Sequence, residues 1–213
     1  MTQAHPRPDE HGHAILIKQP STASPVSTWG DCNGLAVAVP DSEMPDTING
    51  VPLSAWRSEP MDAAGWEALV KSLSFTEPPM PSTPGKKPAA GVVTIEPDGR
   101  VWVVAPTNAF GGYRHTFPKG KLDGLSSRAS AIKEAFEESG LQVELTGYLC
   151  DSIRSTSVTR YYMARRIGGN PADMGWESQA VMLVPADKMA QVVDHPNDGP
   201  IIAALMKHMT KEA

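Results

Sequence analysis

From Phe117 to Leu141 the chain reads FPKGKLDGLSSRASAIKEAFEESGL, and the second half of this stretch decides the fold. Glu134, Glu137 and Glu138 stand at i, i+3 and i+4, which on a helix puts three carboxylates on one face, one turn apart. Like charges so placed repel, and a helix built only for stability avoids them. A hard divalent cation such as Mg²⁺ removes the penalty, because it takes oxygen ligands and bridges carboxylates to phosphate. Ala131, Ile132, Ala135 and Phe136 form an apolar stripe suited to packing on a sheet. Gly120 precedes the helix, and Gly140 is placed to end it in a left-handed turn.

These residues resemble the Nudix box, G-x5-E-x7-R-E-U-x-E-E-x-G-U with U aliphatic. Lys133, Glu134, Ala135, Glu137, Glu138, Gly140 and Leu141 fall on its second half, and Pro118-Lys119-Gly120 matches the proline-containing lead-in of many members. Two departures stand out. The loop between Gly120 and the helix is one residue short, so the pattern's first Glu falls on Leu125 or Ser126, neither of which ligates a metal as a carboxylate does. Lys133 replaces the arginine and loses its planar fork. Asp123, the nearest acid in the shortened loop, reads better as a turn former than as a substitute ligand.

The resemblance implies an α/β fold: a Nudix-type α/β/α sandwich with a mixed sheet, over roughly residues 89–209 of a domain spanning 89–213. It implies hydrolysis of a nucleoside diphosphate linked to another group, by water attack on phosphorus, with ADP-ribose, nucleotide sugars, dinucleoside polyphosphates and diphosphoinositol polyphosphates as candidate substrates. It also implies Glu134, Glu137 and Glu138 as ligands of Mg²⁺ or Mn²⁺, with the Gly120 carbonyl as a neutral ligand. Carboxylates bunched in this way should have pKa values spread apart without metal. The general base varies in the family; Glu177, after Gly175-Trp176 and just before the last strand, is the candidate. The rival reading is a Nudix-fold module that binds a nucleotide without hydrolysing it, motivated by the altered box.

Basic residues cluster around the same loop. Lys119 and Lys121 flank Gly120, Arg114 lies just before, and Arg154 and Arg160 come from the following strand region; all are candidates for phosphate. Phe110 and Tyr113, in a glycine-bearing loop, are the candidates for stacking on a base, whereas Trp102 on a strand reads as core.

Upstream, Gly91–Glu96 and Val101–Ala105 flank Pro97-Asp98-Gly99 and read as a hairpin. Later strands are expected near residues 142–150, 157–164 and 178–184, with helices near 185–193 and 197–209. Glu77 to Pro88 carries five prolines and reads as a stiff linker or a loop laid over the surface, bounding an N-terminal extension of residues 1–88. That extension holds a helix from about Pro60 to Leu73 that Asp62 can cap, short strands near 13–18 and 35–40, and a polar tail over residues 1–13 expected to be poorly ordered. A small α+β extension, a lid and a dimerisation element that would make the protein a homodimer are all left open.

The net charge of −5 argues against a general nucleic-acid or membrane-surface binder, so the expected partner is a small phosphorylated molecule. No signal peptide or membrane span is apparent, and Cys32 and Cys150 form no metal motif, which together point to a cytoplasmic setting.

Overall fold

The structure, a computed structural model, describes residues 2–212. In chain order the elements are β1 (Gln3–Ala4), β2 (Leu16–Ile17), β3 (Ala36–Ala38), β4 (Thr47–Ile48), β5 (Val51–Pro52), α1 (Ala63–Val70), β6 (Lys87–Ile95), β7 (Arg100–Pro106), β8 (Lys119–Lys121), α2 (Ser127–Ser139), β9 (Leu141–Ile153), β10 (Ser157–Gly169), β11 (Ser178–Pro185), α3 (Met189–Val192) and α4 (Gly199–Glu212).

A seven-stranded mixed sheet in the order β3-β11-β7-β6-β10-β9 forms the centre, with β8 paired to β6 off this path. Among the described residues only β6 and β10 run parallel. Alternation along the strands sorts the side chains by face. Val92, Trp102, Val104, Tyr162 and Ala164 pack with Ala129, Ile132 and Ala135 of α2 and Trp66 of α1. Val93, Val101, Val103, Tyr161 and Met163 pack with Met189 of α3 and Ile201 and Leu205 of α4. Helices thus cover both faces of the sheet, the α/β/α arrangement expected.

Strands β6 and β7 pair only at Thr94–Trp102 and Ile95–Val101, next to their turn, and then diverge. The segment entering the acidic helix fills the gap. Thr116 exchanges both backbone hydrogen bonds with Val104 (2.9 Å each), Pro118 accepts from the Val92 N–H (3.1 Å), and Gly120 lies opposite Ala90. Strand β8, three residues long, gives no periodic signal in the sequence, and this insertion is what creates it.

The segment before β6 shares the core. Strand β3 pairs with the edge of β11 through Ala36–Leu183, Val37–Met182 and Ala38–Val181. Trp29 stacks on Trp102 with ring centroids 5.9 Å apart. Asp62 caps α1 by accepting from the Gly65 N–H (2.8 Å), and Trp66 of that helix meets Phe136 of α2. The hairpin β4–β5, turned by Asn49-Gly50, presents carbonyls to a buried arginine. Arg166 donates to Ile48 O (2.8 Å) and Pro52 O (3.1 Å) while forking onto Glu96, which also accepts from Trp102 Nε1 (2.8 Å). The proline-rich stretch is held at both ends: Arg128 of α2 donates to Phe75 O and Glu77, and Lys86 donates to Ser155 O.

Two expectations differ from the structure. The polar tail is ordered: His5 is buried, its N–H donates to Ile15 O (2.8 Å), and β1 and β2 form a small hairpin. A buried imidazole with three polar partners supplies the order that composition alone did not signal. The strand expected near residues 142–150 runs further, β9 continuing to Ile153 with bulges against β10 absorbing the irregularity. Cys32 and Cys150 are free thiols. Among the described residues no helix is long and apolar enough to cross a membrane.

Candidate active site

The acidic helix, α2, starts where the shortened loop requires. Asp123 (φ 45°) and Gly124 (φ 90°) make the turn, and Ser126 becomes the N-cap, its Oγ accepting from the Ala129 N–H (3.2 Å). The position where a carboxylate was expected is therefore a cap. A carboxylate still reaches it from α1: Glu67 accepts from the Ser126 N–H (2.5 Å) and Oγ (2.9 Å). At the other end Gly140 adopts φ 68° and donates to Phe136 O (2.7 Å), closing the helix as its spacing implied.

Glu134 and Glu138, one turn apart, face the inserted segment. Glu138 is 8% exposed and accepts from the Lys119 N–H at 3.2 Å. The carboxyl group of the half-buried Glu134 lies against Gly120. Burial, reinforced by the charges of Glu138 and Glu137, pushes the Glu134 pKa up to about 9. Burial pushes Glu138 to about 7, with Lys119 opposing the rise. Glu137, at i+3, turns outward and pairs with Lys133.

Glu177 is brought to this group by the loop before β11. The Gly175 N–H donates to Glu137 O (2.7 Å), fastening the loop to the last turn of α2, and Glu177 O accepts from the Thr107 N–H (2.7 Å). Partial burial of its carboxyl group, then the charges of Glu137 and Glu10, raise the Glu177 pKa, although the residue as a whole is exposed. Glu177 in turn raises both Glu134 and Glu138, so the four carboxylates share one electrostatic environment.

The donor set suits a hard divalent cation: all oxygen, negative, and destabilised when ionised together. As the side chains stand, among the described residues no three acidic or metal-ligating side chains are gathered closely enough to hold an ion. Glu134 and Glu138 are in place, and Glu137 would have to leave Lys133 to join them.

The basic and aromatic candidates divide. Lys119 sits beside Glu138, with Nζ 5.1 Å from the Tyr113 ring centroid. The Tyr113 hydroxyl accepts from Arg154 (2.9 Å) and Asn197 (2.7 Å), and its ring stacks on His195 at 3.9 Å. Arg154 is buried and paired to Asp198, so it props this wall rather than offering a free charge. Arg160 lies two strands from Gly120, in register through Ala90, but its guanidinium forks onto Asp151 (2.8 and 2.9 Å) and nears Glu77. Arg114 is exposed and paired to Asp194; Lys121 is exposed at the end of β8. Phe110 is 82% exposed, held out by a turn in which Asn108, Ala109 and Gly111 all have positive φ. His195, Asn197 and Asp198 were not legible as part of the wall, since nothing near them in sequence links them to Tyr113.

Carboxylates from one helix of an α/β/α sandwich thus face a glycine-bearing strand. The chain matches the NUDIX domain family over residues 85–205 and belongs to that family. It is 33% identical over 99 residues to the RNA pyrophosphohydrolase of Caulobacter vibrioides, covering 45% of this chain and 54% of that relative. The matched stretch thus spans about half the relative's length. Among solved structures it resembles a NUDIX hydrolase from Nitrosomonas europaea (19% identical, TM-score 0.50, covering 61% of this chain and 75% of that one). A UDP-X diphosphatase is similar in fold (15% identical, TM-score 0.50, covering 72% and 74%).

Proposed function

We propose that this protein is a Mg²⁺- or Mn²⁺-dependent hydrolase cleaving the diphosphate linkage of a nucleoside diphosphate joined to another group. Family membership and the relative named RNA pyrophosphohydrolase support diphosphate hydrolysis. The observation that carries the reading is the Glu134–Glu138 pair, whose carboxyl groups meet Gly120 and the Lys119 N–H and resist joint ionisation.

In this reading Glu134, Glu138 and a re-oriented Glu137 hold the metal, together with the Gly120 carbonyl. The ion supplies charge neutralisation on the phosphates and a bound water of lowered pKa. Glu177, on the loop fastened to α2, takes the proton from the attacking water; its raised pKa brings it nearer the working range of a general base. Lys119 adds positive charge beside Glu138, where a phosphate of the substrate would lie. Tyr113 and Phe110 would face the nucleoside moiety of the substrate, Phe110 with an open face for stacking.

The substrate is tested with a panel of ADP-ribose, NADH, diadenosine polyphosphates, nucleotide sugars, nucleoside triphosphates, a diphosphoinositol polyphosphate and a phosphorylated RNA, each with Mg²⁺, with Mn²⁺ and with chelator. Metal-dependent cleavage of one member, lost in Glu138→Gln, supports the reading and names the substrate class. Thermal stabilisation by a panel member with no cleavage of any would replace it with a nucleotide-binding module.

A further inference from the structure

One arm of the N-terminal hairpin ends beside Glu177, and the other ends on the turn after β7 that bonds the Glu177 carbonyl. On one arm His5 is 4% exposed, and burial lowers its pKa. Nδ1 lies beside the Arg7 backbone, 3.0 Å from its N and 3.1 Å from its O, and Nε2 lies 3.1 Å from Ser178 O, the residue after Glu177, to which it donates in the Nε2-protonated ring. Arg7 fixes that arm further by bonding Asp41 (3.1 Å) and Asp173 (3.2 Å). On the other arm Asn108 receives the Lys18 N–H (2.8 Å) and donates to Leu16 O (2.8 Å). Asn108 follows Thr107, whose N–H holds Glu177 O and whose hydroxyl donates to Trp176 O, at 2.7 Å each. The Glu177 loop is thus gripped on one side by α2, through Gly175, and on the other by a hairpin more than a hundred residues away in sequence.

We infer that the hairpin of residues 3–18 is a positioning element for hydrolysis, with His5 and Asn108 setting where the Glu177 carboxylate stands relative to Glu134 and Glu138. This rests on Glu177 being the general base. A base works only within hydrogen-bond reach of its proton, and a misplacement of about 1 Å costs up to about a hundredfold in rate. The three hydrogen bonds of the hairpin act on a loop whose backbone is already fastened at Gly175 and Thr107.

The test uses the full-length chain with ADP-ribose or a diadenosine polyphosphate, whichever the panel shows to be cleaved. His5→Ala removes the bond to Ser178, and His5→Gln restores a donor at the Nε2 position. Asn108→Gly removes both side-chain bonds without straining a residue whose φ is 57°. His5→Ala and Asn108→Gly should each lower kcat about tenfold, with KM and the Mn²⁺ dependence changed by less than about twofold and His5→Gln close to the parent. In the metal-free protein, amide hydrogen exchange at Thr107 should accelerate in His5→Ala and not in His5→Gln. Unchanged kcat in both variants, with only a lower Tm, would reduce the hairpin to a structural element and overturn the inference. If Glu177→Gln slows turnover while His5→Ala does not, the base survives and the positioning role alone is lost. If Glu177→Gln has no effect, the base assignment fails and the inference falls with it.

Discussion

The carboxyl group of Glu134 occupies the space that a side chain on Gly120 would fill: a Cβ there would lie 2.1 Å from it. The strand inserted between β6 and β7 and the acidic helix are therefore in contact at a point where any side chain would displace the Glu134 carboxyl group. The atoms that would collide are the far end of a flexible side chain, which swings aside more cheaply than backbone moves.

Gly120→Ala should for that reason displace the Glu134 carboxylate and leave the fold standing. We expect Mn²⁺ binding, followed by calorimetry, to weaken by at least about tenfold, with a stability change of about 1 kcal/mol or less. A variant that binds Mn²⁺ as the parent does would show that Glu134 is no ligand.

Glu138→Gln keeps the shape of the side chain and removes its charge. Turnover should fall by about a hundredfold or more, with Tm held or raised, since a buried carboxyl that resists ionisation is replaced by a neutral group. Activity near that of the parent would remove Glu138 from the metal site.

Without metal, stability should fall as pH rises. The folded pKa of Glu134, about 9, lies above its ordinary value of 4.5, so between these limits the folded state holds a proton that the unfolded chain has released. The favourable contribution is complete below about pH 4.5 and is lost as pH climbs through about 9; Glu138, at about 7, adds a step in the same direction. Tm measured in chelator should decline across this window, the decline should flatten in Glu134→Gln, and Mn²⁺ should restore most at the alkaline end. A parent and a Glu134→Gln profile that superimpose would contradict the linkage.

Arg166→Ala should destabilise by about 3–5 kcal/mol, because it removes the buried partner of Glu96 and frees the carbonyls of β4 and β5. Denaturant unfolding measures the loss. A change under about 1 kcal/mol would mean that the hairpin β4–β5 is held to the sheet by other contacts.

Much of the site was written locally. The i, i+3, i+4 spacing of Glu134, Glu137 and Glu138, the stop at Gly140 and the cap at Asp62 each depend on neighbours within one or two turns, and each is legible for that reason. What the spacing could not show is that Lys133, one turn before Glu137, draws that carboxylate outward. The buried charges were hidden for another reason. Glu96 and Arg166 look like ordinary surface residues in sequence, Arg154 reads as a phosphate candidate rather than the partner of Asp198, and each of these partners is far away along the chain. The same holds for His5: in a polar tail it carries no sign of the carbonyl it finds beside Glu177.

The pairing of Ala36–Ala38 with Val181–Leu183 bears on how the protein is made. A polypeptide emerges from the ribosome amino end first, and the partner of β3 is the last strand of the sheet to be synthesised. Until it arrives, Trp29 and the apolar face of β3 have no completed sheet to cover, and closure must wait for a contact of very long range, the kind that folds slowly. The segment carrying β3 is therefore made well before the strand it pairs with and is among the last parts of the sheet to settle.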